Sequence, residues 1–232
     1  MKDLSAFEEK IKVTFADKNL LKQAFIHRSY INENAKVGLE HNERLEFLGD
    51  AVLELVVTDF LFHKYPESNE GELTSYRAAL VNTISISKAA SELGMNDYLL
   101  LSKGEAKDTG KARQYILANT FESVLGAIYI DQGYSAAEKF IAGNLFPYID
   151  EVIAKRLWQD AKSHFQEKAQ DRAGITPAYK VLREEGPDHE KIFTVGVFLK
   201  EELAAEGDGS SKQEAEQEAA KNALEKFGWV AE

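Results

Sequence analysis

From residue 4 to about residue 156, apolar side chains return every three to four positions, the spacing of a helix face. Residues 17–27, DKNLLKQAFIH, place Leu20, Leu21, Ala24 and Phe25 on one stripe, with Asp17 as the N-cap. Residues 42–66, NERLEFLGDAVLELVVTDFLFHKYP, predict a long, mostly apolar helix that must end near Pro66. ELTSYRAALVNTISISKAASELG reads as one helix or two in succession, with Gly94 as the C-cap. A polar, glycine-containing loop, LSKGEAKDTGKARQ, separates these from a second strongly apolar helix, YILANTFESVLGAIYIDQG, closed by Gly133. SAAEKFIAGNLFPYIDEVIAK supplies one or two more helices.

After about residue 157 the pattern changes. WQDAKSHFQEKAQDRAG predicts an amphipathic helix. AYKVLREEG, KIFTVGVFLK and ELAAEGDGSS read as strands, with turns at Gly186-Pro187 and around Lys200. KQEAEQEAAKNALEKFG predicts a closing helix rich in Ala and Glu. The expectation is a mostly α protein in two domains, an all-helical 1–156 and an α-β-β-β-α module over 159–232, joined by a short link.

Composition narrows the function. The chain has 232 residues, 44% of them hydrophobic, enough to bury a core. It has no cysteine, which excludes disulfides, thiolate metal sites and a cysteine nucleophile. No run reaches the ~20 apolar residues of a membrane helix, and the N-terminus has no apolar signal core. A cytoplasmic protein with no membrane partner is the expectation. The net charge is −11. Residues 158–232 carry 10 Lys and Arg against 16 Asp and Glu. Nucleic-acid binding here must rest on local charge or on metal ions rather than on bulk charge.

The chemistry concentrates on the two apolar helices. At 100° per residue, Glu43, Glu46 and Asp50 project from one narrow face. Asn119 and Glu122, three apart, flank a similar face on the second helix. Such acids commonly pair with an arginine such as Arg44 or Arg77, or face solvent. Like charges at these spacings repel, however, and a cation would neutralise them. Oxygen ligands without His or Cys suit Mg²⁺ or Mn²⁺. A di-iron bundle would want a Glu-x-x-His on two helices, and none is present.

In the C-terminal module, Gly207 to Ser211 are expected to offer free backbone N–H groups at a helix N-terminus, with Lys212 beside them. Gln166 and Gln170 lie four apart on the preceding helix, and His189 sits in a turn between strands. On this topology they suit recognition of A-form RNA by shape and 2′-OH.

The stretches NERLEFLGDAVL, LLKQAFIHRSY, NEGELTSYRAALVN and ILANTFESVLGAIYIDQG, followed by FQEKAQ, PAYKVLREEGPDHEKIFTVGV and GSSKQEAEQEAAKNAL, resemble bacterial ribonuclease III in the right order over almost the whole chain. The first motif is highly specific, whereas the last three belong to a module shared by many proteins. The resemblance implies a helical endonuclease domain followed by a double-stranded-RNA-binding domain. It implies a homodimer that cuts each strand of a duplex, leaving 5′-phosphate and 3′-hydroxyl ends with short 3′ overhangs in rRNA and mRNA precursors. It implies a metal set at Glu46, Asp50, Asn119 and Glu122, with Asp50 and Glu122 catalytic and Glu43 and Glu70 as further acids lining the cleft. Phe47 matches an interface aromatic. Ser163, Gln166, Glu167, Gln170, His189, Ser211 and Lys212 match RNA contacts. Lys103 and Lys111 are further candidates for the RNA backbone.

Two positions depart from the pattern. Asn119 stands where the family usually has Asp; an amide oxygen can still ligate Mg²⁺ but brings no charge. Gln213 stands where a second basic residue often follows Lys212. The reading is a Mg²⁺-dependent endonuclease of double-stranded RNA, with Mn²⁺ able to substitute. Its rival is a non-cleaving double-stranded-RNA-binding protein on the same fold, which Asn119 keeps open.

Overall fold

A computed structural model describes residues 3–34, 38–154, 160–187 and 191–229. Contacts divide the chain into two compact units, Met1–Trp158 and Gln159–Glu232. The expected boundary itself falls on residues 155–159, outside the described residues.

The first unit is helical. Short helices α1 (Ser5–Ile11), α2 (Lys18–Ala24) and α3 (Arg28–Glu33) lead into the 22-residue α4 (Glu43–Lys64). Asp17 caps α2 as expected, its side chain accepting from the Asn19 N–H. The long alternative over residues 72–94 resolves into two helices, α5 (Glu70–Leu80) and α6 (Thr83–Glu92). Asn82 makes the break, because its side chain accepts from the Ser85 N–H and starts a new helix. Gly94 follows α6 with φ +72°, the left-handed position a glycine fills at low cost. Helix α7 (Lys111–Gln132) begins four residues before the expected Tyr115, directly after Gly110, and stops at Gly133. Helices α8 (Tyr134–Asn144) and α9 (Ile149–Ala154) follow.

Helices α4 and α7 form the centre of this unit. Leu45, Leu53, Val56 and Val57 of α4 and Phe121, Val124, Leu125 and Ile128 of α7 are buried in one core. Polar groups fix their ends. Asn42, almost fully buried, donates its side-chain amide to the Ala24 carbonyl at 3.1 Å, and its N–H donates to Ile26 at 2.9 Å. Asp131, at the end of α7, accepts from the N–H groups of Ala16 and Asp17. Those two bonds hold its carboxyl below the usual range even as burial opposes them.

The second unit is a three-stranded antiparallel sheet, β1 (Ala178–Glu185), β2 (Ile192–Leu199) and β3 (Glu202–Gly209), between α10 (Ala161–Ala173) and α11 (Lys212–Lys226) in the chain. The turn at Lys200 is made with φ +57°. Phe165, Val197, Ala204, Ala219, Ala220, Ala223 and Leu224 form its core. The alanine face of α11 leaves room for the helix to lie close to the sheet.

That close approach corrects one expectation. Gly207 and Gly209 are not loop donors at a helix N-terminus but strand residues, paired with Val195 and Phe193. A Cβ on Gly207 would stand 2.6 Å from the Glu218 carbonyl carbon, and one on Gly209 2.5 Å from the Ala215 nitrogen. These glycines admit the α11 backbone.

Candidate active site

The acids meet where α4 and α7 cross, and two glycines make the crossing. A Cβ on Gly49 would lie 2.6 Å from the Glu122 carbonyl carbon, and one on Gly126 would lie 3.0 Å from that of Leu45. With hydrogen in both places the backbones touch. Glu46 and Asp50, flanking Gly49, are thereby held against Glu122. Ser123, buried beside Glu122, donates its hydroxyl to the Asn119 carbonyl at 2.7 Å, with the Asn42 carbonyl of the α4 N-terminus 3.4 Å away.

Charge accumulates there. Burial pushes the Glu122 carboxyl up to about 8, and the nearby charges of Asp50, Glu46 and Glu54 add to the effect. Glu46 is also raised, first by burial and then by Glu43 and Asp50, while a hydrogen bond from the Asn119 side chain opposes the rise. The Asn119 amide thus lies within reach of the Glu46 carboxyl. Among the described residues, no three His, Asp or Glu side chains already stand in ligating geometry. The donor set is nonetheless all oxygen, half-buried at Glu46, Asn119 and Glu122 and exposed at Asp50, and the acids repel one another, which fits a hard divalent cation.

The other predicted residues are placed differently. Glu43, at the start of α4, faces Arg28 at 3.6 Å and His41 Nδ1 at 3.7 Å. Arg44 makes no ion pair among the described residues, so the expectation that it partners the acids does not hold. Arg77 is engaged by Glu54 at 2.9 Å and by the Thr58 hydroxyl at 2.8 Å. Glu54 was not among the expected residues, although its place one turn after Asp50 on the acid stripe marks it. Glu70 does not join the others within one chain. It opens α5 and lines a cavity of about 460 Å³ with Thr58, Phe62, Leu73, Thr74 and Arg77. Thr58 lies two turns beyond Asp50, roughly 12 Å along α4. Phe47 is 80% exposed.

In the second unit, Ser163, Gln166, Glu167 and Gln170 share the exposed side of α10. Ser211 caps α11, accepting from the Glu214 N–H at 3.2 Å, while Glu214 accepts in turn from the Ser210 N–H at 3.0 Å. The N–H groups expected to be free are therefore partly taken by this reciprocal cap. Lys212 lies 3.3 Å from Glu184. Gln213 is exposed. His189 lies outside the described residues.

The family model described as Ribonuclease-III-like matches residues 17–149. The chain belongs to the ribonuclease-III-like family. A second model, the double-stranded RNA binding motif, matches residues 161–227. Ribonuclease 3 of Bacillus licheniformis is 48% identical over 222 residues, covering 95% of this chain and 88% of the relative. Ribonuclease 3 of Pelotomaculum thermopropionicum is 45% identical over 223 residues, covering 96% and 92%. A solved structure of the nuclease domain of ribonuclease III from Campylobacter jejuni, described for flexibility in a region involved in dimer formation, is also similar. It has 40% identity and a TM-score of 0.56, and covers 62% of this chain and 99% of that one. In a ribonuclease-III-like chain the α4–α7 crossing carries the residues matched to the signature motif, and the second unit carries the RNA-binding motif.

Proposed function

We propose that the protein is an endoribonuclease that hydrolyses double-stranded RNA to 5′-phosphate and 3′-hydroxyl ends, as a cytoplasmic homodimer acting on rRNA and mRNA precursors. The observation that carries this reading is the set of carboxylates forced together at the α4–α7 crossing in a chain that also holds a double-stranded-RNA-binding motif. Glu46, Asp50, Glu122 and the Asn119 carbonyl would hold Mg²⁺, with Mn²⁺ substituting. When bound, the cation supplies positive charge to the phosphate and acidifies a coordinated water. The protein holds its ligands in place through the crossing. Glu122 stores a proton that it must release before it can ligate. Asn119 would offer its amide oxygen as a neutral ligand beside Glu46. Ser163, Gln166, Glu167, Gln170, Ser211, Lys212 and His189 would bind the duplex across its minor groove and backbone. A metal titration against a long labelled duplex tests this reading. Cleavage that spares single strands and leaves 5′-phosphates supports it; binding without cleavage at any Mg²⁺ or Mn²⁺ concentration would establish the non-cleaving reading instead.

Asn119 sharpens the choice between these readings. Asn119→Asp replaces a neutral ligand by a charged one and exchanges a hydrogen bond to Glu46 for repulsion. Half-maximal cleavage should then need about tenfold less Mg²⁺. An unchanged metal requirement would place Asn119 outside the ligand set.

The dimer is supported by a stripe on α4. Phe47, Leu55 and Phe62 are 80%, 58% and 65% exposed, and with Ala51 and Thr58 between them they follow helical spacing. Exposed aromatic residues at this density mark an interface. Phe47→Asp should shift the particle from dimer to monomer mass in light scattering and lower cleavage with it. A dimer that persists would remove Phe47 from the interface.

A further inference from the structure

Helix α7 leaves one strip uncovered on the side of the acids. Lys111, Tyr115, Asn119 and Glu122 succeed one another at spacings of four, four and three, so the strip stays on one side of the helix. From Tyr115 onward the residues between them, Ile116, Leu117, Ala118, Thr120 and Phe121, are all buried, whereas Ala112 and Gln114 in the first turn are exposed. The earlier start of α7 is what adds Lys111 to this strip; as a residue of the expected loop it would have no fixed relation to Tyr115 and Glu122.

Tyr115 is 58% exposed. Among the described residues its ring stacks on no other aromatic residue and its hydroxyl takes no hydrogen bond. A large amphipathic side chain is therefore held on a rigid helix, one turn before Asn119, with both its face and its phenol open. Seven residues separate it from Glu122, about 10 Å along the helix axis. That is too far for a phosphate held at the acids but within reach of the nucleotides beside it.

We infer that Tyr115 is a substrate-contacting residue that reads the ribose of a nucleotide flanking the scissile phosphate, with Lys111 continuing the same track along the RNA backbone. This rests on the nuclease reading above. The chemistry selects ribose. A-form RNA displays its 2′-hydroxyls on the shallow minor groove, and a phenol both donates to and accepts from such a hydroxyl. Tyrosine loses little side-chain entropy on docking, having only two side-chain torsions. The same contact would be absent for a DNA strand, so Tyr115 contributes to discrimination between RNA and DNA at the cut.

Tyr115→Phe and Tyr115→Ala are compared with the wild-type dimer on duplexes carrying single 2′-deoxynucleotides at positions around the cut. Tyr115→Phe should lower kcat/KM about three- to tenfold, the effect of one hydrogen bond, with the Mg²⁺ requirement unchanged. One deoxy position should cost the wild type the same factor and cost Tyr115→Phe nothing further. Tyr115→Ala should lose more, because the ring is gone as well. Variants that cut as fast as wild type overturn the inference, as does a Tyr115→Phe enzyme slowed by every deoxy position as much as wild type. A changed particle mass at unchanged cleavage also overturns it, by making Tyr115 an interface residue. A wild type that cuts no duplex in either metal overturns the nuclease reading itself, and this subsite with it.

Discussion

Glu122→Gln should abolish duplex cleavage and at the same time stabilise the metal-free protein above neutral pH. The first effect follows from losing a charged ligand at the crossing, with a fall in rate of at least about a thousandfold. The second follows from linkage. The carboxyl of Glu122 titrates at about 8 in the folded chain, against 4.5 for an unperturbed Glu, because burial and three neighbouring carboxylates penalise its charged form. Below pH 4.5 the group is protonated in both states and costs nothing. Between 4.5 and 8 the unfolded chain ionises while the folded one holds its proton, so stability falls as pH rises. Above 8 the full penalty is present. Because part of the side chain is exposed to water, the penalty is discounted to about 2 kcal/mol. A neutral amide of the same shape removes it. Glu122→Gln should therefore melt about 4–8 °C higher than wild type at pH 8.5 in chelator, and at nearly the same temperature at pH 4.5. Equal melting at both pH values would mean that the carboxyl is not cornered. A variant still cutting at the wild-type rate would remove Glu122 from the active site. The same proton makes metal binding easier with rising pH up to about 8, since the ion must displace it.

The elements were largely legible because hydrophobic periodicity in this chain is strong and its punctuation is local. Asp17, Gly94, Gly133 and the turn at Lys200 each act through the backbone next to them, so a short window suffices to read them. The acids on α4 were legible for the same reason: their common face is a property of one helix. What was not legible is whatever depends on a second element. The neighbours of Glu70 were not readable from its own helix: α5 places it beside Thr58 and Phe62. Arg44 is close to the acids in sequence but has no ion pair among the described residues, while Arg28, from another helix, meets Glu43. ELAAEGDGSS is legible as a strand, but the N–H groups expected to be free at Gly207 and Gly209 are not, because these glycines pair with β2 and admit the α11 backbone. In all three cases the partner that decides the outcome lies on another element.

Gly49 shows how such information could have been extracted, and it supplies the largest expected effect on stability. A glycine inside a helix costs roughly 1 kcal/mol relative to alanine, so one in the middle of a long apolar helix needs a reason. The reason here is the Glu122 carbonyl, which occupies the space a Cβ would fill. Gly49→Ala should therefore destabilise the protein by about 3 kcal/mol or more, against a helix propensity that alone would favour it. Gly143→Ala provides the contrast. It too lies in a helix, α8, but nothing stands within 4 Å of its Cβ position. That substitution should be neutral or stabilise by up to about 1 kcal/mol. Denaturant melts of both variants measure the difference. Opposite signs would show that the close crossing, rather than glycine in a helix as such, is what matters. A Gly49→Ala protein as stable as wild type would mean that α4 and α7 can separate freely. Where the variant retains its fold, the strain must be relieved by moving α4 away from α7, which carries Glu46 and Asp50 away from Glu122. The burial that raises Glu122 would then relax, and half-maximal cleavage would need more metal. Stability and metal requirement should thus change together at Gly49, because one missing side chain both closes the core and assembles the acids.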